Sequence, residues 1–173
     1  MKLLRRFVED PRAVDSVVVV LSTWLVLGAY IDAYAYVYKT GTILEPAHSA
    51  GVAIVNAAFS LLTIYLFAGL AVGIRAGRKW NEALPDGHTG SFTALLIFGA
   101  AWILDDAFWS RVFGTGGLGL EQLFTPFHLV EIGAAAIVVS GPLRAAARRG
   151  EEEAGPVALA SSALLLSTFT FVT

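Results

Sequence analysis

The chain has no cysteine, and its single methionine is Met1. Disulfides, thiolate nucleophiles, zinc fingers and Met-rich Cu(I) sites are thereby excluded together. Charge is sparse as well: Asp, Glu, Lys and Arg make up 15% of the 173 residues, and the formal net charge is −2. No basic stripe with interleaved aromatics is present, which sets nucleic acid aside as a partner.

Apolar residues fill the remainder. At 56% hydrophobic and a mean hydropathy of +0.68, the chain reads as an integral membrane protein with the lipid bilayer as its solvent. Five apolar runs, at about residues 14–38, 48–74, 92–113, 127–143 and 156–172, predict an all-α fold of five transmembrane helices. Gly, Ala and Ser are scattered through all five, as at helix interfaces in membranes. Ala33-Tyr34-Ala35 has the small-x-small form of a signal-peptide cleavage site. The run before it is long and its pattern returns later in the chain, which favours a retained helix.

Ten of the 12 basic residues fall on one side of such a bundle: Lys2, Arg5, Arg6, Arg12, Arg75, Arg78, Lys79, Arg144, Arg148 and Arg149. Only Lys39 and Arg111 fall on the other. Positive charge accumulates on the cytoplasmic side, so the N-terminus is expected in the cytoplasm of a multi-pass cell-membrane protein. Glu9, Asp10, Asp15, Glu82, Asp86 and Glu151 to Glu153 then lie on the cytoplasmic side, where water solvates them, and His88 reads as a turn residue there. The remaining ionisable groups, Asp32, Glu45, His48, Asp105, Asp106, Glu121, His128 and Glu131, gather at the outer ends of the first four spans. An aspartate at the centre of a membrane helix costs roughly 2.5 to 3.5 kcal/mol, so such groups call for a partner or a task.

The first four spans read as a tandem repeat of helix pairs. Aligning Asp32 with Asp106 accompanies a second match, in which Leu44-Glu45-Pro46-Ala47-His48 stands opposite Phe124-Thr125-Pro126-Phe127-His128. The organisation is then a basic lead (1–13), a first helix pair (14–74), a cytoplasmic loop (75–91), a second pair (92–146), and an acidic linker with the fifth helix (147–173). The fifth helix is unpaired, either a terminal packing helix or the first helix of a longer chain.

Proline in the first turn of a helix costs little, and the free N–H groups beside it carry partial positive charge. A histidine two residues on is held at the interface, facing the end of the preceding span. His48 is therefore expected to meet Asp32, and His128 to meet Asp106. Adjacent helical residues stand about 100° apart, so Asp105 and Asp106 cannot share one site. Asp106 is preferred because it aligns with Asp32, and Asp105 is expected to pair with Arg111 or face the outer interface. His128 and Glu131, at i and i+3, share a helix face in a spacing that suits two ligands of one metal. The candidate metal ligands are thus Asp32, His48, Asp106, His128 and Glu131. Each Asp–His pair reads also as a hydrogen-bonded staple between helices. Tyr30, Tyr34, Tyr36, Tyr38, Trp102 and Trp109 fit an aromatic belt, and residues 114–119 a flexible connector.

The patterns GAYIDAYAY with EPAH, and LDDAFWSRVFG with EQLFTPFHL and SGPLRAA, resemble a family of archaeal and actinobacterial multi-span membrane proteins. Each half of those proteins carries Asp-x-x-x-His followed by Pro-x-His. More distantly, the motif is similar to the copper site in the C subunit of particulate methane and ammonia monooxygenases. The resemblance implies a monooxygenase-like or metal-handling subunit that holds copper; two imidazoles and several carboxylates without sulfur suit Cu(II), Zn, Fe or Mn. This chain departs from the pattern, because Tyr36 and Ser110 stand where the motif has its first histidine. Either the two halves share one site, completed by Glu131 or Glu45, or metal binding has been lost.

Three functions follow. The leading one is an outward-facing His/carboxylate metal site; if it is catalytic, the metal activates water or dioxygen while Asp or Glu handles protons. The rival is a non-enzymatic subunit that packs in a homo-oligomer or against other membrane subunits. A transporter or proton relay ranks third, since the cytoplasmic halves of the spans offer little beyond Asn56 and a few hydroxyls.

Overall fold

The computed structural model describes residues 7–38, 44–85, 87–114, 125–150 and 155–170, with side chains throughout except at 36–38, 44–48, 106, 110, 114 and 169. Helices account for nearly all of these residues, and no strand occurs among them. Helix α1 covers Pro11–Tyr38, α2 Leu44–Arg75, α3 His88–Leu104, α4 Pro126–Val139, α5 Gly141–Arg149 and α6 Pro156–Phe169. A single 3-10 turn, Trp80–Glu82, lies between α2 and α3, and α3 runs on into a ten-residue π-helix, Asp105–Gly114.

Four stretches are long and apolar enough to cross a membrane: Pro11–Ala35, Ser49–Arg75, His88–Phe113 and Pro126–Arg149. The expected fifth span corresponds to α6, whose 14 residues rise about 21 Å against a hydrocarbon core of about 30 Å. Tyr30 ties this shorter helix to α1 by donating its hydroxyl to the Ser167 carbonyl at 2.8 Å.

Burial follows helical periodicity. On α2, Val55, Ala58, Leu62, Leu66 and Leu70 recur every three or four residues and face the interior, while Ile64 and Phe67 are exposed. Val14, Val18 and Leu25 of α1, Phe92 and Leu95 of α3, and Ala134 and Val138 of α4 join the same core. Large apolar side chains such as Val20, Trp24, Leu96, Ile103 and Leu166 point outward. An apolar exterior spread over every long helix is what a lipid-facing surface requires.

The helices associate chiefly in two pairs, α1 with α2 and α3 with α4. Small residues bring the first pair into backbone contact. A Cβ on Gly51 would fall 2.6 Å from the Asp32 nitrogen, and one on Gly28 would fall 2.9 Å from the Val55 nitrogen. Without a hydrophobic effect between helices in lipid, close approach of this kind supplies the van der Waals attraction that holds them together.

The fourth apolar stretch is broken. Pro142 has no N–H for the Val138 carbonyl, and α4 gives way to α5 at Ser140. Arg144 closes the break from below: Nη1 donates to the Ile137 carbonyl at 2.7 Å and to Ser140 Oγ. Its Nη2 donates to Ser91 Oγ and to the Gly87 carbonyl, both at 3.1 Å. Ser161 on α6 donates to the Val139 carbonyl. Side chains thus satisfy the carbonyls that a bent membrane helix leaves open.

Two sequence expectations are corrected by the packing. Asp15 was expected to be solvated and His88 to lie in a turn, yet they are 4% and 0% exposed. Asp15 shares the inner face of α1 with Val18, Ser22 and Leu25, so it points into the bundle. His88 is the first residue of α3 rather than a turn residue, because Gly87 adopts φ +88° and caps the helix just before it.

Candidate functional site

Thr-Pro-x-His builds the start of α4. Thr125 is the N-cap, with extended backbone and an Oγ1 that accepts the His128 backbone N–H at 3.1 Å. Pro126 occupies the first helical turn, where its missing N–H costs nothing. His128 therefore sits at the third helical position with its ring folded back toward the cap, and its Nδ1 lies 3.0 Å from Thr125 Oγ1.

Asp105 comes to the same point from the junction of α3 with the π-helix. Thr125 Oγ1 donates to Asp105 Oδ1 at 2.9 Å, and Asp105 Oδ2 lies 3.4 Å from His128 Nδ1. The wider i→i+5 winding that begins at Asp105 re-aims the side chains that follow; such segments recur at functional sites. Trp109, within that segment, lies tilted against Phe113 at 4.3 Å and meets Phe127 of α4 edge-on at 6.2 Å between ring centres.

One turn beyond His128, Glu131 is 8% exposed and makes no hydrogen bond or ion pair with any described residue. A buried ionised carboxylate in an apolar helix requires a compensating charge. Beyond it on α4, Ala134, Ala135 and Val138 continue the inner face.

Of the sequence-predicted ligands, His128 and Glu131 lie on α4 as expected. Asp32 is half-buried on α1 beside Gly51. His48 lies on α2 and Asp106 on the π-helix, with both side chains outside the described residues, as are those of Tyr36, Ser110 and Glu45. The expected Asp32–His48 and Asp106–His128 contacts and the connector at 115–119 therefore fall outside them too. Asp105 turns to Thr125 and His128, and no ion pair joins it to Arg111 among the described residues. Nor do the described residues contain a group of three or more His, Asp or Glu placed to hold a metal ion. Thr125 was missed in the sequence, although a threonine immediately before a helix-starting proline is a cap signal.

A second ionisable cluster occupies the other end of α3. Asp15 Oδ1 lies 2.7 Å from His88 Nε2, and Asp15 Oδ2 lies 2.7 Å from Arg149 Nη2. His88 Nδ1 has no hydrogen-bond partner among the described residues. A cavity of about 600 Å³ opens beside Asp15 and Arg149, between α1, α5 and the start of α6. Polar groups were expected to be scarce at this end of the spans; three ionisable side chains are in fact gathered there. No protein-family model, curated protein or solved structure matches the chain.

Proposed function

We propose that the protein is a multi-pass membrane protein that holds a divalent transition metal at the end of the bundle where α3 meets α4. His128 supplies the imidazole and Glu131 a carboxylate. One observation carries this: a single turn of α4 presents an imidazole already oriented through Nδ1 and a buried carboxylate without a counter-charge among the described residues. Nitrogen and oxygen donors without sulfur suit Cu(II), Zn or Fe, with copper favoured by the motif resemblance. Two protein donors leave a site incomplete, and Asp32, His48 and Asp106 are the remaining candidates of the sequence. When bound, the metal supplies Lewis-acid or redox chemistry. The chain's own part is to fix the ring through Thr125 and to hold Glu131 buried one turn below it. The excess of basic residues at the opposite end supports an outward-facing site with the N-terminus in the cytoplasm, and in this reading α6 is a short fifth membrane helix.

A structural reading is favoured by a separate observation. The chain from Asp105 through Thr125 to His128 is closed on itself and joins α3 to α4 without any added group. Metal analysis of purified, reconstituted protein separates the two. Stoichiometric metal in the parent, lost in His128→Ala and in Glu131→Gln, supports the site. Metal-free protein after reconstitution with copper, zinc and iron, together with variants that only unfold more readily, leaves the staple.

A further inference from the structure

Thr125 has one hydroxyl proton and an oxygen that three groups use. Its Oγ1 donates to Asp105 Oδ1 at 2.9 Å and accepts the His128 backbone N–H at 3.1 Å. The third contact, 3.0 Å to His128 Nδ1, then has to be donated by the ring. In the reversed chain, with a proton on Asp105 and the hydroxyl donating to Nδ1, the ring lone pair would face Asp105 Oδ2 at 3.4 Å, acceptor against acceptor. With Nδ1 protonated, the same contact is attractive.

We propose, on the footing of the metal reading above, that Asp105 is a positioning residue. Acting through Thr125, it holds His128 as the Nδ1–H tautomer and leaves Nε2 as the ring nitrogen whose lone pair is available to a divalent transition metal. Asp105 itself touches no metal in this arrangement. Metal-ligating histidines commonly donate their other ring N–H to a carboxylate or carbonyl, which fixes the tautomer and raises the basicity of the ligating nitrogen. At the far end of α3 the geometry is reversed: His88 directs Nε2 to Asp15 Oδ1 at 2.7 Å, so that ring carries its proton on Nε2. The two rings are opposite tautomers within one molecule.

Ring-nitrogen NMR of histidine-labelled, metal-free protein in lipid nanodiscs, at a pH where both rings are neutral, tests this directly. His128 is expected to show a protonated Nδ1 and a bare Nε2, and His88 the reverse. Thr125→Ser keeps the His128 pattern, whereas Thr125→Val and Asp105→Ala lose it; unchanged His88 signals report that the fold survives. Zinc titration of the same samples should show about 10- to 100-fold weaker binding in Asp105→Ala and parent-like binding in Thr125→Ser. A parent His128 protonated on Nε2 overturns the proposal, as does a His128 pattern that survives in both Thr125→Val and Asp105→Ala. Where the substitutions disturb His88 as well, the parent spectrum decides. The expected tautomer in a protein that takes up no zinc, copper or iron supports the positioning role and overturns the metal reading alone.

Discussion

Asp15 Oδ1 lies 2.7 Å from Nε2 of His88, 73 residues away in the sequence, and its second oxygen holds Arg149 at the same distance. One carboxylate thus joins α1, α3 and α5 at one end of the bundle. An intact buried ion pair contributes little over a well-packed apolar substitute, but removing one partner leaves the other charge buried alone. That asymmetry sets what substitution does here.

Asp15→Ala is expected to destabilise the protein by up to about 3 to 5 kcal/mol, because the fully buried His88 loses the acceptor of its Nε2 and Arg149 loses one of its contacts. Asp15→Asn keeps one amide oxygen and should cost less. Unfolding in mixed detergent micelles measures both. An Asp15→Ala variant within about 0.5 kcal/mol of the parent, the range of ordinary surface changes, would show that water reaches the cluster.

The helices were legible because lipid demands long apolar runs, and the first four of the five runs fall on the four long helical stretches. The start of α4 was legible from Pro126 and His128. Asp15 was misjudged because it was assigned by the side of the membrane on which it falls and not by helix face. Counting by face places it three, seven and ten residues before the buried Val18, Ser22 and Leu25. Asp105 was set aside because the repeat alignment singled out Asp106, and an alignment carries no information on where Asp105 points; its contact with Thr125 and His128 was therefore not foreseen. Nothing in the composition of Asp105–Gly114 announces i→i+5 winding.

Gly51→Ala should separate α1 from α2, since the added Cβ meets the Asp32 backbone at 2.6 Å and backbone cannot rotate away. A cost of about 1 to 3 kcal/mol is expected from overpacking. Gly133→Ala on α4 is the matched control. Its Cβ has nothing within 4 Å, so the substitution should be neutral or slightly stabilising. Equal effects at the two positions would remove the case for a backbone-contact crossing.

Arg144→Met keeps the aliphatic stem and removes four donated hydrogen bonds at the junction of α4 and α5. Bonds from charged donors contribute about 1.5 to 3 kcal/mol each when lost singly, though such losses do not add. Amide hydrogen exchange should rise locally, over the amides that flank the break from Ile137 to Leu143, before global stability falls. Uniform acceleration along the whole chain would mean that Arg144 supports the bundle generally rather than the break.

Glu131→Leu separates stability from function at the proposed site. A buried carboxylate without a partner among the described residues is a cost to the metal-free protein, on the order of 1 to 3 kcal/mol. Leucine removes that cost and fits the apolar wall formed with Ala134 and Ala135. The metal-free variant should therefore unfold later than the metal-free parent. Metal stabilises whichever form binds it in proportion to the logarithm of its concentration over the dissociation constant. Added copper or zinc should raise the parent's unfolding midpoint and leave that of Glu131→Leu unmoved, so the two curves cross as metal is added. A metal-free Glu131→Leu less stable than the parent would reveal a partner for Glu131 on the chain itself. An equal metal-dependent shift in both proteins would remove Glu131 from the ligand set and leave His128 to act without it.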